Sequence, residues 1–174
     1  MRSLYDRYKV AKVNAFDNLK KSCGDDAFID ACCFQTQQAL EFLIKYKLND
    51  LGVSYKKSHD IEYLFSLLQQ EGVTFSKERE LLISASKVTS WETTYRYGDG
   101  ITTTLNAIHD VWNIITCFEN ELIKNQLATE NVWEEYLTKY KISTEFEELE
   151  RLMSLYKTDC RDVILKNIKN DFLS

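Results

Sequence analysis

Residues 26–51 read DAFIDACCFQTQQALEFLIKYKLNDL, and this segment decides the fold. Apolar side chains recur at helical spacing in two directions around it, which predicts a long central helix buried on most sides. The two apolar sets are Phe28, Cys32, Ala39, Phe42 and Tyr46, and Ile29, Cys33, Leu40, Ile44 and Leu51. Asp25 is a suitable N-cap for this helix, and Gly52 predicts its end.

A narrow polar strip interrupts the apolar pattern of this helix. Gln38, Glu41, Lys45 and Asn49 recur at spacings of three and four residues, so they share one direction. A Glu followed four residues later by a Lys is an ordinary helix-stabilising pair, worth about 0.2–0.5 kcal/mol. Polar groups on a buried helix, however, need partners. The strip is therefore either a water-facing surface or the wall of a polar cleft that contacts a ligand or a partner.

Composition points to an all-α fold of ordinary domain size. The chain has 174 residues, no proline and only five glycines, whereas β-rich folds use both residues in turns. The net charge of −5 gives no general attraction to nucleic acid. Residues 1–21 are nevertheless locally basic, which is typical of a solvated helix face. Their charged residues are Arg2, Arg7, Lys9, Lys12, Lys20 and Lys21, against Asp6 and Asp17.

Cysteine usage and hydropathy indicate in which cellular compartment the protein is expected. The five cysteines include the adjacent pair Cys32 and Cys33 but no C-x-x-C, so they predict neither a disulfide framework nor a zinc site. No signal peptide is apparent, and no apolar run approaches the roughly 20 residues that span a bilayer. We expect a soluble, cytoplasmic protein with reduced thiols and no membrane association.

Four further helices are predicted before residue 125, and together they form an antiparallel bundle of four to five core helices over residues 1–124. The first runs from about residue 3 to 22. The third follows Ser58 as N-cap and ends at Gly72, and the fourth begins near Ser76. Their apolar faces are Leu4, Tyr8, Ala11, Ala15 and Leu19; Ile61, Leu64, Phe65 and Leu68; Leu81, Leu82, Ala85, Val88 and Trp91; and, in the fifth helix, Ile101, Leu105, Ile108, Trp112, Ile115, Phe118 and Leu122.

Residues 125–174 are predicted to be a C-terminal helical extension. Thr129 is a candidate cap, and Thr144 with Glu147 has the form of a capping box. The last helix has an apolar face that must be buried, either on the bundle or on a second subunit. A structural role in building an oligomer is one alternative for the whole protein.

Three short strings in the sequence resemble those of the HEPN family (higher eukaryotes and prokaryotes nucleotide-binding), and the resemblance covers roughly residues 5–122. They are Phe34-Gln-Thr-Gln-Gln-Ala-Leu-Glu-Phe42, Ser58-His59-Asp60-Ile61 and Tyr95-Arg96-Tyr97. The family's usual strings are aromatic-His-x-Gln-Gln-Ala-x-Glu-Lys and Thr-His-Asp-Leu. This chain departs at Gln35, where the His is usual, and at Phe42, where the Lys is usual.

The resemblance implies a non-catalytic module that binds a nucleotide or another protein. Such domains act with a separate nucleotidyltransferase-type partner, as in toxin–antitoxin systems, and many form homodimers; RNA is an alternative ligand. No cofactor and no metal are expected. The residues expected to contact the ligand or partner are Gln38, Glu41, Lys45, His59, Asp60 and Arg96.

The last three of these residues each have a structural alternative. Asp60 would lie in the first turn of the third helix, where a carboxylate suits the helix dipole. His59 would either hydrogen-bond to a loop carbonyl or face the groove. Arg96 is expected on a loop before Gly98, where it would either bind a phosphate or pair with Glu92 or Asp99.

An enzyme is the alternative from a different class. Ribonucleases of the resembling family use an Arg and a His separated by four to six residues. The His that follows Arg96 is His109, which is too distant in sequence for this motif. The dipeptides His59-Asp60 and His109-Asp110 suggest a metal-dependent phosphohydrolase. That class needs a further His, and adjacent helical residues point about 100° apart, so His109 and Asp110 would not face one metal. No catalytic residue is therefore predicted.

Overall fold

The computed structural model describes residues 3–22, 26–98, 100–101 and 103–124, and these contain helices and connections but no strand. The predicted all-α fold is confirmed. The predicted extension, with Thr129 and Thr144, lies outside the described residues, as do Asp25 and Asp99. The helices are α1 (Leu4–Lys21), α2 (Asp26–Asp50), α3 (Ile61–Gln70), α4 (Glu78–Tyr97) and α5 (Leu105–Phe118), and a π-helical turn (Glu119–Ile123) continues α5.

Helix α2 is the centre of the bundle, as its sequence predicts. It packs against each of the other four helices, because apolar residues occupy most directions around it. Leu40, Leu43 and Ile44 are fully buried. Leu51 was wrongly assigned to the core: it follows the last residue of α2 and is 42% exposed.

The other predicted apolar faces are largely buried. Tyr8, Ala15, Phe65, Ala85 and Trp112 lie in the same core as α2. The prediction for Leu82 is wrong, since this side chain is 40% exposed on α4. None of the helices in the described part of the chain is both long and apolar enough to span a membrane.

Three helix ends differ from the prediction. Helix α5 begins at Leu105, so Ile101 of its predicted apolar face lies before the helix. Asp60 is the N-cap of α3, because its carboxylate accepts from the Tyr63 amide at 3.1 Å; Ser58 instead accepts from the Asp60 amide at 3.1 Å. Helix α4 extends to Tyr97 and ends at Gly98, whose φ of 74° is readily adopted only by glycine. Arg96 therefore lies in the last helical turn and not on a loop.

A buried carboxylate joins α1 to the end of α5. Glu119 is 3% exposed and accepts from the hydroxyls of Tyr5 and Tyr8, both at 2.6 Å. It also pairs with Lys12 at 3.0 Å and Lys124 at 3.3 Å. Lys12 is only 5% exposed, so the expectation of a solvated basic face is wrong at this position.

The hydroxyls and lysines around Glu119 change the pKa of its carboxyl group. Burial raises the pKa, but the charge of Lys12, the hydroxyls of Tyr5 and Tyr8 and the charge of Lys124 outweigh burial and lower it from 4.5 to about 2. The carboxylate therefore remains ionised well below neutral pH.

Among the described cysteines, Cys32 and Cys33 are buried and Cys117 is half-buried. Burial raises the pKa of the Cys32 thiol to about 12.

Candidate functional site

The site is built around a charged side chain inside the bundle. Glu41 of α2 is 1% exposed, and a carboxylate removed from water needs charged or hydrogen-bonding partners. Its Oε1 accepts from Lys45 Nζ at 2.7 Å. Its Oε2 accepts from Gln37 Nε2 at 2.8 Å and more weakly from Gln38 Nε2 at 3.5 Å. The polar strip on α2 is therefore an internal wall and not a water-facing surface at Glu41.

The loop between α2 and α3 places His59 over this carboxylate. His59 Nδ1 lies 3.1 Å from Glu41 Oε2 and 3.2 Å from Oε2 of Glu92 on α4. Helix α2 holds the loop, since Lys45 Nζ donates to the Ser58 carbonyl at 2.6 Å and Gln37 Nε2 reaches the His59 carbonyl at 3.4 Å. The His59 side chain is 44% exposed, so the imidazole meets solvent.

Arg96 completes the site from α4. One of its terminal nitrogens lies 2.5 Å from Glu92 Oε1, one helical turn away, so the predicted alternative of pairing with Glu92 is confirmed. Glu92 is only 5% exposed, whereas the Arg96 side chain is 57% exposed. Since a guanidinium has five N–H donors, Arg96 retains donors at the surface beyond the contact with Glu92.

These five side chains form what we call the charge network, in the order Lys45, Glu41, His59, Glu92 and Arg96. Each carboxylate directs Oε1 to its own cation and Oε2 to the same imidazole nitrogen. Two carboxylates and two cations give a net charge of zero when the imidazole is neutral. The network joins α2, α4 and the loop that precedes α3.

The structure brings together most, but not all, of the predicted site residues. Gln38, Glu41, Lys45, His59 and Arg96 lie in or against the charge network. Asp60 does not join it: its side chain is exposed and caps α3, so its role is structural, as the N-cap and not within the first turn.

Two contributors were not predicted as site residues. Gln37 is fully buried and contacts both Glu41 and His59, and its position four residues before Glu41 was the signal available in the sequence. Glu92 was considered only as a partner of Arg96. The available signal was that Glu92 lies four residues after Val88 of the predicted apolar face and four residues before Arg96.

Three side chains of the network could hold a metal ion. Glu41, His59 and Glu92 each offer one ligand atom, and these atoms lie within 4.8 Å of one another. The other histidine, His109, is on α5 and is not a member of this group. Its Nδ1 lies 3.8 Å from Oδ1 of the neighbouring Asp110. Within the described residues, the two His-Asp dipeptides therefore do not assemble one phosphohydrolase-type centre.

A cleft of about 200 Å³ adjoins the network between α1 and α2. Gln38 connects the two, because it lines the cleft and contacts Glu41 of the network. The lining residues are Arg7, Val10, Ala11, Phe34, Gln35, Gln38 and Phe42. The Phe34 ring stacks on Tyr95 of α4 at 4.7 Å between centroids and 14° between planes. Gln35 and Phe42, the two departures from the family's usual string, both face this cleft.

The fold and the site together define an all-α bundle whose long central helix supplies buried polar side chains to a His-Asp turn. The comparison with protein families identifies this class: the HEPN domain model matches residues 14–125, and the chain belongs to the HEPN family. It is thus a nucleotide-binding or ribonuclease-family module. Neither a curated protein nor a solved structure matches the chain.

Proposed function

We propose that this HEPN domain is a non-catalytic module that binds a nucleotide and acts with a separate nucleotidyltransferase-type partner. The observation that carries the proposal is the charge network, which fixes an arginine at the surface beside a half-exposed histidine. Arg96 is anchored through one N–H group and offers the others to a phosphate. The partner part of the proposal is supported by family membership.

The adjoining cleft is suited to the base of such a nucleotide. Its volume of about 200 Å³ is smaller than the roughly 300–1,000 Å³ typical of pockets for whole drug-sized ligands, so it fits one ring system. Phe34 and Phe42 provide aromatic surface, and the amides of Gln35 and Gln38 can hydrogen-bond to the edge of a base.

The absence of a catalytic role is supported by how the ionisable groups are paired. Both carboxylates of the network already contact a cation and the His59 ring. Neither is a free base beside a nucleophile, as acid–base catalysis requires. The Arg-x4–6-His spacing of the family's ribonucleases is also missing from the sequence.

One observation favours a ribonuclease as the second candidate. His59 and Arg96 are far apart in sequence, yet they contact the two oxygens of the same Glu92 carboxylate, at 3.2 and 2.5 Å. A histidine for proton transfer and an arginine for charge stabilisation are the groups that cleavage of a phosphodiester needs. The structure thus places together two residue types whose sequence spacing had argued against this activity.

Calorimetric titration with nucleoside mono-, di- and triphosphates tests the proposed binding. We expect Arg96→Gln to weaken binding by about 10-fold or more, since a hydrogen bond to a charged group contributes about 1.5–3 kcal/mol. Arg79→Gln, which removes an exposed arginine near the other end of α4, is the control and should leave binding unchanged. Failure of every nucleotide to bind, or equal effects of the two variants, would contradict the proposal.

An RNA degradation assay separates the two candidates. The proposed module should show no cleavage above background, with or without His59. Cleavage by the wild type that is lost in His59→Ala and Arg96→Gln, but retained in His109→Ala, would instead establish the ribonuclease. Affinity purification followed by identification of a bound nucleotidyltransferase tests the partner.

A further inference from the structure

Two of the three separations among the ligand atoms of Glu41, His59 and Glu92 match those of a metal coordination sphere, and all three atoms lie within 4.8 Å of one another. Bonds of about 2.1 Å from a central Zn²⁺ or similar ion place neighbouring ligand atoms about 3.0–3.4 Å apart. His59 Nδ1 lies 3.1 Å from Glu41 Oε2 and 3.2 Å from Glu92 Oε2. The two carboxylates come from different helices, α2 and α4, so their convergence is a property of the tertiary structure.

The outer oxygens of both carboxylates are fixed by cations. Lys45 contacts Oε1 of Glu41 at 2.7 Å, and Arg96 contacts Oε1 of Glu92 at 2.5 Å, which directs each Oε2 towards His59. Hydrogen-bonding partners of this kind orient the ligands in metal sites. By itself, Nδ1 can supply only one proton to two carboxylate oxygens. A divalent cation among the three atoms would contact the Oε2 atoms of both carboxylates at once.

The charge of the network indicates what else such a cation would bind. The network is neutral with a neutral imidazole, so a divalent cation would leave a charge of +2. Since His59 is 44% exposed, the cation would lie at the solvent side and could take anionic ligands there. Phosphate oxygens are common additional ligands of cations held by one or two carboxylates.

We propose that Glu41, His59 and Glu92 bind a divalent cation and that the bound nucleotide completes its coordination through phosphate oxygens. The second clause rests on the function proposed above. Two carboxylates and one imidazole form a mixed oxygen and nitrogen set, which suits Mn²⁺ or Zn²⁺ better than Mg²⁺. Lys45 and Arg96 position the two carboxylates, and Arg96 also faces the phosphates.

The cation site is tested by titrating Mn²⁺ into the EDTA-treated full-length protein and measuring free Mn²⁺ by electron paramagnetic resonance. Mn²⁺ is the probe because the thiols of this chain are poor ligands for it. We expect one bound ion per chain. His59→Ala and Glu92→Gln should each raise the dissociation constant at least tenfold, whereas His109→Ala, the control at the other histidine, should not change it. Circular dichroism of each variant verifies that the fold is retained.

No Mn²⁺ binding by the wild type, or binding that His59→Ala and Glu92→Gln leave unchanged, would overturn the cation site. ATP titrations in EDTA and in Mn²⁺ separate this inference from the proposed function. Tighter ATP binding with Mn²⁺, lost in His59→Ala, supports both. Equal ATP binding in EDTA and Mn²⁺ retains the nucleotide function but overturns the phosphate bridge. Mn²⁺ binding without any ATP binding retains the cation site and contradicts the nucleotide function.

Discussion

Replacement of Glu119 by Gln should remove an acid-dependent part of the stability of the bundle. The carboxyl of Glu119 has a pKa of about 2 in the folded protein, against 4.5 for an ordinary Glu. The folded state therefore binds the proton less readily than the unfolded state does. Stability from this group is fully present above about pH 4.5 and is lost as the pH falls towards 2.

The size of the effect follows from the two pKa values. One pKa unit corresponds to about 1.4 kcal/mol, so the carboxylate contributes about 3 kcal/mol at neutral pH. Gln cannot ionise, and the Glu119→Gln variant also leaves the ammonium of Lys12 buried without its carboxylate, which destabilises in the same direction. We expect the free energy of unfolding of the variant to be about 3 kcal/mol below that of the wild type at pH 7, with a progressively smaller difference below pH 4.5.

Urea unfolding followed by circular dichroism, repeated between about pH 3 and pH 7, measures this difference in the free energy of unfolding. Glu71→Gln makes the same chemical change at an exposed carboxyl and should leave the curve close to wild type. Parallel pH curves for wild type and Glu119→Gln would refute the reasoning, because they would show that Glu119 titrates alike in both states.

Four further substitutions test the fold. Leu43→Ala should lower the free energy of unfolding by about 2–5 kcal/mol, since the side chain is fully buried at the centre of α2; a smaller loss would place it outside the core. Asp60→Ala should cost about 1 kcal/mol through loss of the α3 cap, and Ser58→Ala less, in the same urea assay. Gly98→Ala should lower the melting temperature, because a φ of 74° costs an alanine about 1–2 kcal/mol; an unchanged melting temperature would contradict the left-handed cap.

The helices and the central position of α2 could be predicted because their causes are local. Apolar residues in two directions around one helix can be satisfied only by neighbours on both sides, whatever those neighbours are. The glycines at 52 and 72 similarly predicted where α2 and α3 end. The cap of α3 was assigned to Ser58 instead of Asp60 because both residue types serve well at that position. Arg96 was expected on a loop because Gly98 and Gly100 follow it closely. In the structure, α4 continues through Arg96 to Tyr97 and ends only at Gly98.

The candidate site was predicted only in part, for a physical reason. Spacing along α2 identified Glu41 and Lys45, whose contact is within one helix. The sequence by itself thus determined the helices, the buried centre and the polar strip. Only the tertiary structure decided that Glu92 meets His59, that Gln37 holds the loop and that Lys12 is buried against Glu119. Such contacts depend on the rotation and offset of one helix against another, whereas a helical pattern records that a face is buried and not which residue covers it.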